Sequence, residues 1–282
     1  MPEATAPGAP RPVTPLGLAA GLLDQVASRT AGTLDAAVQA DLDRARLLVG
    51  GLDGYLASVT APASEALVAL ERRTAAEDWR EHSAPGTPHL EQEMLSGHVE
   101  GAFLGFLVRL TGARRVLEVG MFTGYSALAM AEALPADDPD ATVVACELDP
   151  GVAGFAQRCF DDSAAGGRIR VEVGPAETTL AALAEAGERF DLVFVDADKP
   201  GYDRYVELVL GEPGEDGLLA DGGLVCLDNT LLQGEPWAGA PDGPATANGR
   251  AIADLNARLA ADPRVEQVLV PLRDGLTLVR RV

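Results

Sequence analysis

Two apolar runs of this chain end in oxygen-bearing side chains: "FDLVFVDADK" delivers Asp196, Asp198 and Lys199, and "GGLVCLDNT" delivers Asp228 and Asn229. Short apolar runs bounded by turn formers read as buried strands. Taken singly, each acid is an ordinary turn residue. Together, Asp196, Asp228 and Asn229 offer side-chain oxygens with no imidazole or thiolate among them. Such a set suits a hard divalent cation such as Mg2+, with Ca2+ or Mn2+ as further candidates, and leaves positions for substrate oxygens.

A second group surrounds "VLEVGMFTGYSAL", which places Glu118, Gly120, Gly124 and Ser126 where a strand turns into a helix. Glycines there let a ligand approach the backbone, and the helix N-terminus offers free N–H groups to an anionic end. The spacing G-x-x-x-G fits a dinucleotide pyrophosphate poorly, whereas the carboxylate of an amino acid needs less room. A tight turn with purely structural glycines is the alternative. Glu147 closes the next run, "TVVACELD", where an acid accepts hydrogen bonds from both hydroxyls of a ribose. In "VGPAETT" after the third run, Ala176 is small enough to let an adenine approach.

Positioning these residues requires a sheet. "RRVLEVG", "TVVACELD", "RIRVEVG", "FDLVFVDAD" and "GGLVCLDN" alternate with helical stretches, the pattern of a doubly wound parallel sheet covered on both faces. The ending differs. "RVEQVLVPLRDGLTLVRRV" reads as two strands joined at Arg273-Asp274-Gly275, so the sheet gains an antiparallel edge strand. Upstream, residues 1–15 are rich in Pro, Ala and Gly and predict a disordered tail. Residues 16–82 carry apolar side chains three and four apart and predict a helical extension, and residues 83–282 hold the main α/β domain.

The 282 residues carry 22 Lys and Arg against 43 Asp and Glu, a formal net charge of −21. A field of that sign repels polyanions and argues against nucleic-acid binding. No apolar run reaches the roughly 18 residues of a membrane span, so a soluble cytoplasmic protein is expected. Cys146, Cys159 and Cys226 lack ligand spacing and read as reduced packing residues. His82, His89 and His98, spaced by seven and nine, match no standard metal pattern and read as structural or solvated. Trp79 and Trp237 read as packing residues, with Trp237 also placed to wall an acceptor pocket.

The stretches "MLSG", "VLEVGMFTGYSALAMAEAL", "FDLVFVDADKPGYDRY", "GGLVCLDNTLLQG" and "LAADPRVEQVLVPLRDGLTLVRR" together closely resemble the cation-dependent O-methyltransferases of the caffeoyl-CoA and catechol type, over roughly residues 54–282. The resemblance implies a class I S-adenosylmethionine-dependent fold, with a seven-stranded, mostly parallel sheet, an antiparallel C-terminal hairpin strand, and a homodimer. Carried over by position, it implies metal binding by Asp196, Asp228 and Asn229 and makes Lys199 the catalytic base. It places Ser96, Glu118 and Asp198 against the methyl donor, Gly120 and Ser126 at its methionine end, Glu147 at its ribose and Ala176 at its adenine. Gln233 stands where plant members acting on CoA esters carry Asn, and the segment before residue 54 lies outside the family core. Both departures bear on the acceptor.

The expected reaction is divalent-metal-dependent methylation of a hydroxyl on a chelating small molecule, such as a catechol-like phenolic or secondary metabolite of the kind found in antibiotic biosynthesis. A carrier-protein-bound 2-hydroxy acid such as a hydroxymalonyl unit is the alternative acceptor, with an acyl carrier protein as partner. A non-catalytic S-adenosylmethionine-binding scaffold is a remote third reading, because Lys199 and the three oxygen ligands are all present.

Overall fold

The computed structural model describes residues 11–79, 82, 90–211, 217–240 and 243–282. Four helices come first: α1 (Pro15–Arg29), α2 (Ala36–Gly50), α3 (Leu52–Val59) and α4 (Glu65–Ala76). Their starts follow from capping side chains, since Thr14, Asp35 and Ser64 each accept a backbone N–H of the first turn. Within the expected helical extension, α2 and α3 are separated at the Gly50-Gly51 pair, glycine being a poor interior helix residue. Residues 1–10 of the expected tail, and His89, lie outside the described residues. Within that tail, Arg11 pairs with Glu91, its backbone N–H donates to Glu93, and Thr14 is buried.

The remaining elements are α5 (Gly97–Thr111), β1 (Arg115–Val119), α6 (Tyr125–Ala131), β2 (Thr142–Glu147), α7 (Pro150–Asp161), β3 (Ile169–Val173), α8 (Ala176–Glu185), β4 (Phe190–Val195), α9 (Tyr202–Leu210), β5 (Leu219–Leu227), the short α10 (Glu235–Ala238), α11 (Ala247–Ala261), β6 (Val265–Val270) and β7 (Leu276–Arg281). The sheet runs β3-β2-β1-β4-β5-β7-β6. Strands β1 to β5 pair in parallel, and β7 is antiparallel to both β5 and β6.

The hairpin corrects one expectation. The antiparallel strand is β7, second from the edge, and β6 forms the edge. Burial explains the order: Leu276, Thr277 and Val279 of β7 are buried, while β6 leaves Glu266, Gln267 and Val268 facing out or half covered. An interior strand must hide both faces; an edge strand need not.

Alternation along the strands divides the core in two. Val116, Leu192 and Phe194 pack toward α5, α6 and α7, and Leu117, Val119, Val193 and Val195 pack toward α8, α9 and α11. Each fully buried side chain of this size contributes about 1.5–3 kcal/mol of transfer free energy. The three cysteines are free and buried. Among the described residues, no helix is long and apolar enough to cross a membrane.

Candidate active site

The carboxyl edge of β1, β4 and β5 collects the chemistry-bearing residues. Val119 pairs with Val195 and Val195 with Leu227, so the residues that follow leave the sheet side by side. The ladder runs one step further: the Asp196 N–H donates to Val119 O at 2.8 Å and the Asp228 N–H to Val195 O at 3.0 Å. Asn229 then turns the chain with φ of 55°, a left-handed conformation that Asn tolerates well. Its N–H donates to Asp228 Oδ1 at 2.7 Å. The joint between β6 and β7 fixes the loop beyond: Thr230 and Leu231 N–H donate to Gly275 and Asp274 carbonyls, and the Gln233 N–H to Asp274 Oδ1 at 2.6 Å.

The resulting cluster is crowded with negative charge. Asp228 is 4% exposed, and burial followed by the Asp196 carboxylate pushes it up to about 6, with Lys199 opposing. Glu100, projecting from α5, is buried too. Burial and Asp228 raise it well above the usual carboxylate range, against Arg273, whose Nε lies 3.6 Å from Glu100 Oε2. Burial pushes Asp274 up to about 7. Carboxylates that raise one another's pKa leave an unmet demand for positive charge. The donor set of Asp196, Asp228 and Asn229 therefore fits a divalent cation, which would relieve that repulsion.

Lys199 is 12% exposed in its side chain, and its ammonium is fully hydrogen-bonded. It donates to Asp196 Oδ1 at 3.1 Å, to Ala197 O at 3.1 Å and to the Tyr202 hydroxyl at 2.7 Å. Burial, then Asp196 and Asp228, raise the Tyr202 phenol well above its ordinary value, so it stays a hydroxyl. The composition carries a signal that motif reading passed over. Lys199 is the single lysine of the chain, against 21 arginines. A guanidinium cannot release a proton at accessible pH, whereas an amine can.

On the β1 side, Gly120 has φ of 90°, and a Cβ there would lie 2.7 Å from the Asp196 carbonyl carbon. Only glycine allows this turn to sit against the end of β4. The Gly120 and Met121 N–H groups both donate to Cys146 O. Glu147 accepts from the Phe122 N–H at 2.8 Å and the Asp149 N–H at 2.9 Å, which ties the ends of β1 and β2 together and leaves lone pairs for a diol. Glu118 is fully buried, and neither carboxyl oxygen has a hydrogen-bond partner among the described residues. Burial raises its pKa well above the usual range, and Ser126 at the start of α6 is buried as well. An unpartnered buried carboxylate is costly. A buried carboxylate of this kind suits a cationic group such as the ammonium of an amino acid.

Ser96 is buried at the start of α5, the helix that carries Glu100. Ala176 opens α8, just past Gly174, whose N–H donates to Glu147 O at 2.9 Å. Asp198 is exposed, and both its oxygens have partners: Oδ1 accepts from the Tyr205 hydroxyl at 2.6 Å and Oδ2 from the Gly201 N–H at 3.1 Å, closing the turn that carries Lys199. Sequence reasoning missed Glu100, Tyr202, Arg273 and Asp274. Trp79 is buried against Phe122 and Phe155, with its ring centroid 5.1 Å from that of His82, whose Nε2 lies 2.9 Å from Glu77 Oε1. Trp237 on α10 is 56% exposed.

Comparison with known proteins converges on one chemistry. A family model described as O-methyltransferase matches residues 69–282, which leaves α1 to α3 outside it. Tricin synthase 1 of Oryza sativa subsp. japonica is 38% identical over 203 residues, covering 67% of this chain and 75% of that protein. Probable caffeoyl-CoA O-methyltransferase 1 of Dictyostelium discoideum is 33% identical over 191 residues, covering 67% and 78%. Among solved structures, the SAH-bound Podospora anserina methyltransferase PaMTH1 superposes with a TM-score of 0.69 at 29% identity, covering 83% of this chain and 95% of that one. The O-methyltransferase TomG from Streptomyces achromogenes, involved in tomaymycin synthesis and solved with SAM, gives 0.65 at 29% identity, covering 82% and 96%.

Proposed function

The chain belongs to the O-methyltransferase family, and from that premise we propose a divalent-cation-dependent transfer to a small molecule bearing two adjacent oxygens, a catechol-like phenolic or related secondary metabolite. It is an S-adenosylmethionine-dependent enzyme. The observation that carries the finer reading is the convergence of Asp196, Asp228 and Asn229 beside Lys199, with Asp228 pushed up to about 6. When bound, the cation supplies positive charge to the acceptor oxygens and the cofactor supplies an electrophilic methyl group.

The chain's own residues do the rest. Glu118 and Ser126 hold the amino-acid end of the cofactor, with Ser96 nearby, Glu147 its ribose and Ala176 the adenine edge. Asp196, Asp228 and Asn229 hold the cation. Lys199 takes the proton from the acceptor hydroxyl as the oxygen becomes nucleophilic. Asp198 shapes the Lys199 turn from beside the cofactor. Fixing the reacting groups in one place supplies most of the acceleration. The exposed Phe106 and Leu110 of α5 suit a homodimer contact.

The test is a screen of catechols and carrier-bound 2-hydroxy acids with a labelled methyl donor, with and without Mg2+. Methylated catechol that disappears on chelation supports the reading. Full turnover after exhaustive chelation overturns it, and product from the carrier-bound acid alone transfers the reading to that acceptor.

A further inference from the structure

Lys199 and Tyr202 stand at either end of the short turn Lys199–Gly201 that leads into α9. We propose that Tyr202 is a positioning residue, holding the Lys199 amine beside Asp196 at the carboxyl edge of the sheet. The proposal deepens the reading of Lys199 as proton acceptor and rests on it.

The argument begins with hydrogen-bond capacity. A lysine ammonium has three N–H donors and no acceptor. Three oxygens receive them, and the Tyr202 hydroxyl is the nearest at 2.7 Å, against 3.1 Å for Asp196 Oδ1 and 3.1 Å for Ala197 O. Tyr202 is fully buried, and its oxygen also lies 3.1 Å from Val195 O and 3.0 Å from Asp228 O. Its single hydrogen can be donated to either of those carbonyls, so the hydroxyl oxygen is anchored at the strand ends where β4 and β5 run side by side. A four-carbon stem that is otherwise free to sample many rotamers meets a fixed acceptor.

Two of the three acceptors, Ala197 O and the Tyr202 hydroxyl, belong to the rigid frame, and the third, Asp196, is the side chain assigned to the cation. The frame contacts fix where the Lys199 nitrogen stands relative to Asp196. In the proton-acceptor reading on which the proposal rests, the proton leaves the acceptor hydroxyl for the Lys199 nitrogen while the O–H electron pair stays on the oxygen that takes the methyl group, and solvent later removes that proton.

Since Lys199 is the only lysine, lysine labelled with 13C at Cε and 15N at Nζ gives one side-chain signal in the whole protein. The ligand-free wild type is expected to show a nuclear Overhauser contact between the Lys199 Cε protons and the Tyr202 ring; its absence overturns the proposal without any variant. Tyr202→Phe keeps the ring and its volume. It is expected to move the lysine signal toward that of free lysine and to speed its N–H exchange about tenfold or more, as loss of a fixed acceptor would. In turnover, kcat is expected to fall about 30- to 100-fold, the scale of a mispositioned group, with both KM values within about twofold. In a Lys199→Ala background, Tyr202→Phe adds no further loss.

A Tyr202→Phe protein with an unchanged lysine signal and kcat, and only a lower melting temperature, assigns Tyr202 to packing and overturns the proposal. An equal loss with and without Lys199 does the same. Wild-type turnover by Lys199→Ala removes the proton-acceptor reading instead, and leaves the spectroscopic result to stand by itself.

Discussion

The two edges of the sheet hold the same kinds of charged residue in opposite circumstances. At the amino-terminal edge, Asp191 Oδ2 accepts the Arg114 and Arg115 backbone N–H groups at 2.8 and 2.9 Å, and Glu188 pairs with both Arg115 and Arg170. A shallow cavity of about 480 Å3 there is lined by Arg115, Thr142, Arg170, Gly187, Glu188 and Arg189, acid and base already matched. At the carboxyl edge, Glu118 has no partner among the described residues, and Asp228 and Asp274 are pushed up to about 6 and about 7. Charge that is answered within the chain maintains structure. Charge left unanswered in a buried place marks where something else must bind.

The sharpest way to break this contrast is Asp196→Ala, expected to cut turnover about a thousandfold or more, while Glu188→Gln on the opposite edge changes kcat by less than about twofold. Steady-state kinetics on both variants decide it, with melting curves to verify that each is folded.

Glu118→Gln comes next. Replacing a carboxyl that burial already holds neutral in the ligand-free protein should change its melting temperature little and weaken S-adenosylmethionine binding about 10- to 100-fold, the worth of a charged hydrogen bond. Calorimetric titration and thermal melts read the two effects, and a variant that keeps wild-type affinity contradicts the assignment.

A smaller effect concerns pH. The folded-state pKa of Asp274 lies near 7, above its ordinary 3.8, so its contribution to stability is fully present below about 4 and is lost as pH rises toward 7. Ligand-free protein should therefore soften across that window, and Asp274→Asn should flatten this part of the profile in denaturant melts at several pH values. Least of all, Asp191→Ala should cost about 1–2 kcal/mol of stability with kcat unchanged, because its two backbone partners lie at the far end of the strands.

Much of this contrast was legible in the sequence, and the remainder fails for identifiable reasons. Asp196, Asp228 and Asn229 follow strongly apolar runs, so their convergence needs only that those runs be neighbouring parallel strands. Glu100 sits in "GHVEGAF", where it resembles the polar face of an amphipathic helix; only the tertiary fold buries it, beside Asp228 and Arg273. Asp274 looks like a turn former in its Asp-Gly joint, and its burial comes from the loop of residues 230–234 folding onto it. The placement of β7 inside β6 was equally hidden, since alternation within a hairpin does not say which strand meets β5. Lys199 was read by position, although its solitude among 21 arginines spoke as plainly.

The close fit at Gly120 has a further meaning. The turn after β1 and the loop that carries Asp196 meet through backbone atoms, since the nearest atoms a Cβ at Gly120 would meet are the backbone of Asp196 and Ala197. A side chain at position 120 would have to push the end of β4 away, so the spacing between these two loops is set by backbone contact and not by any residue that could be exchanged.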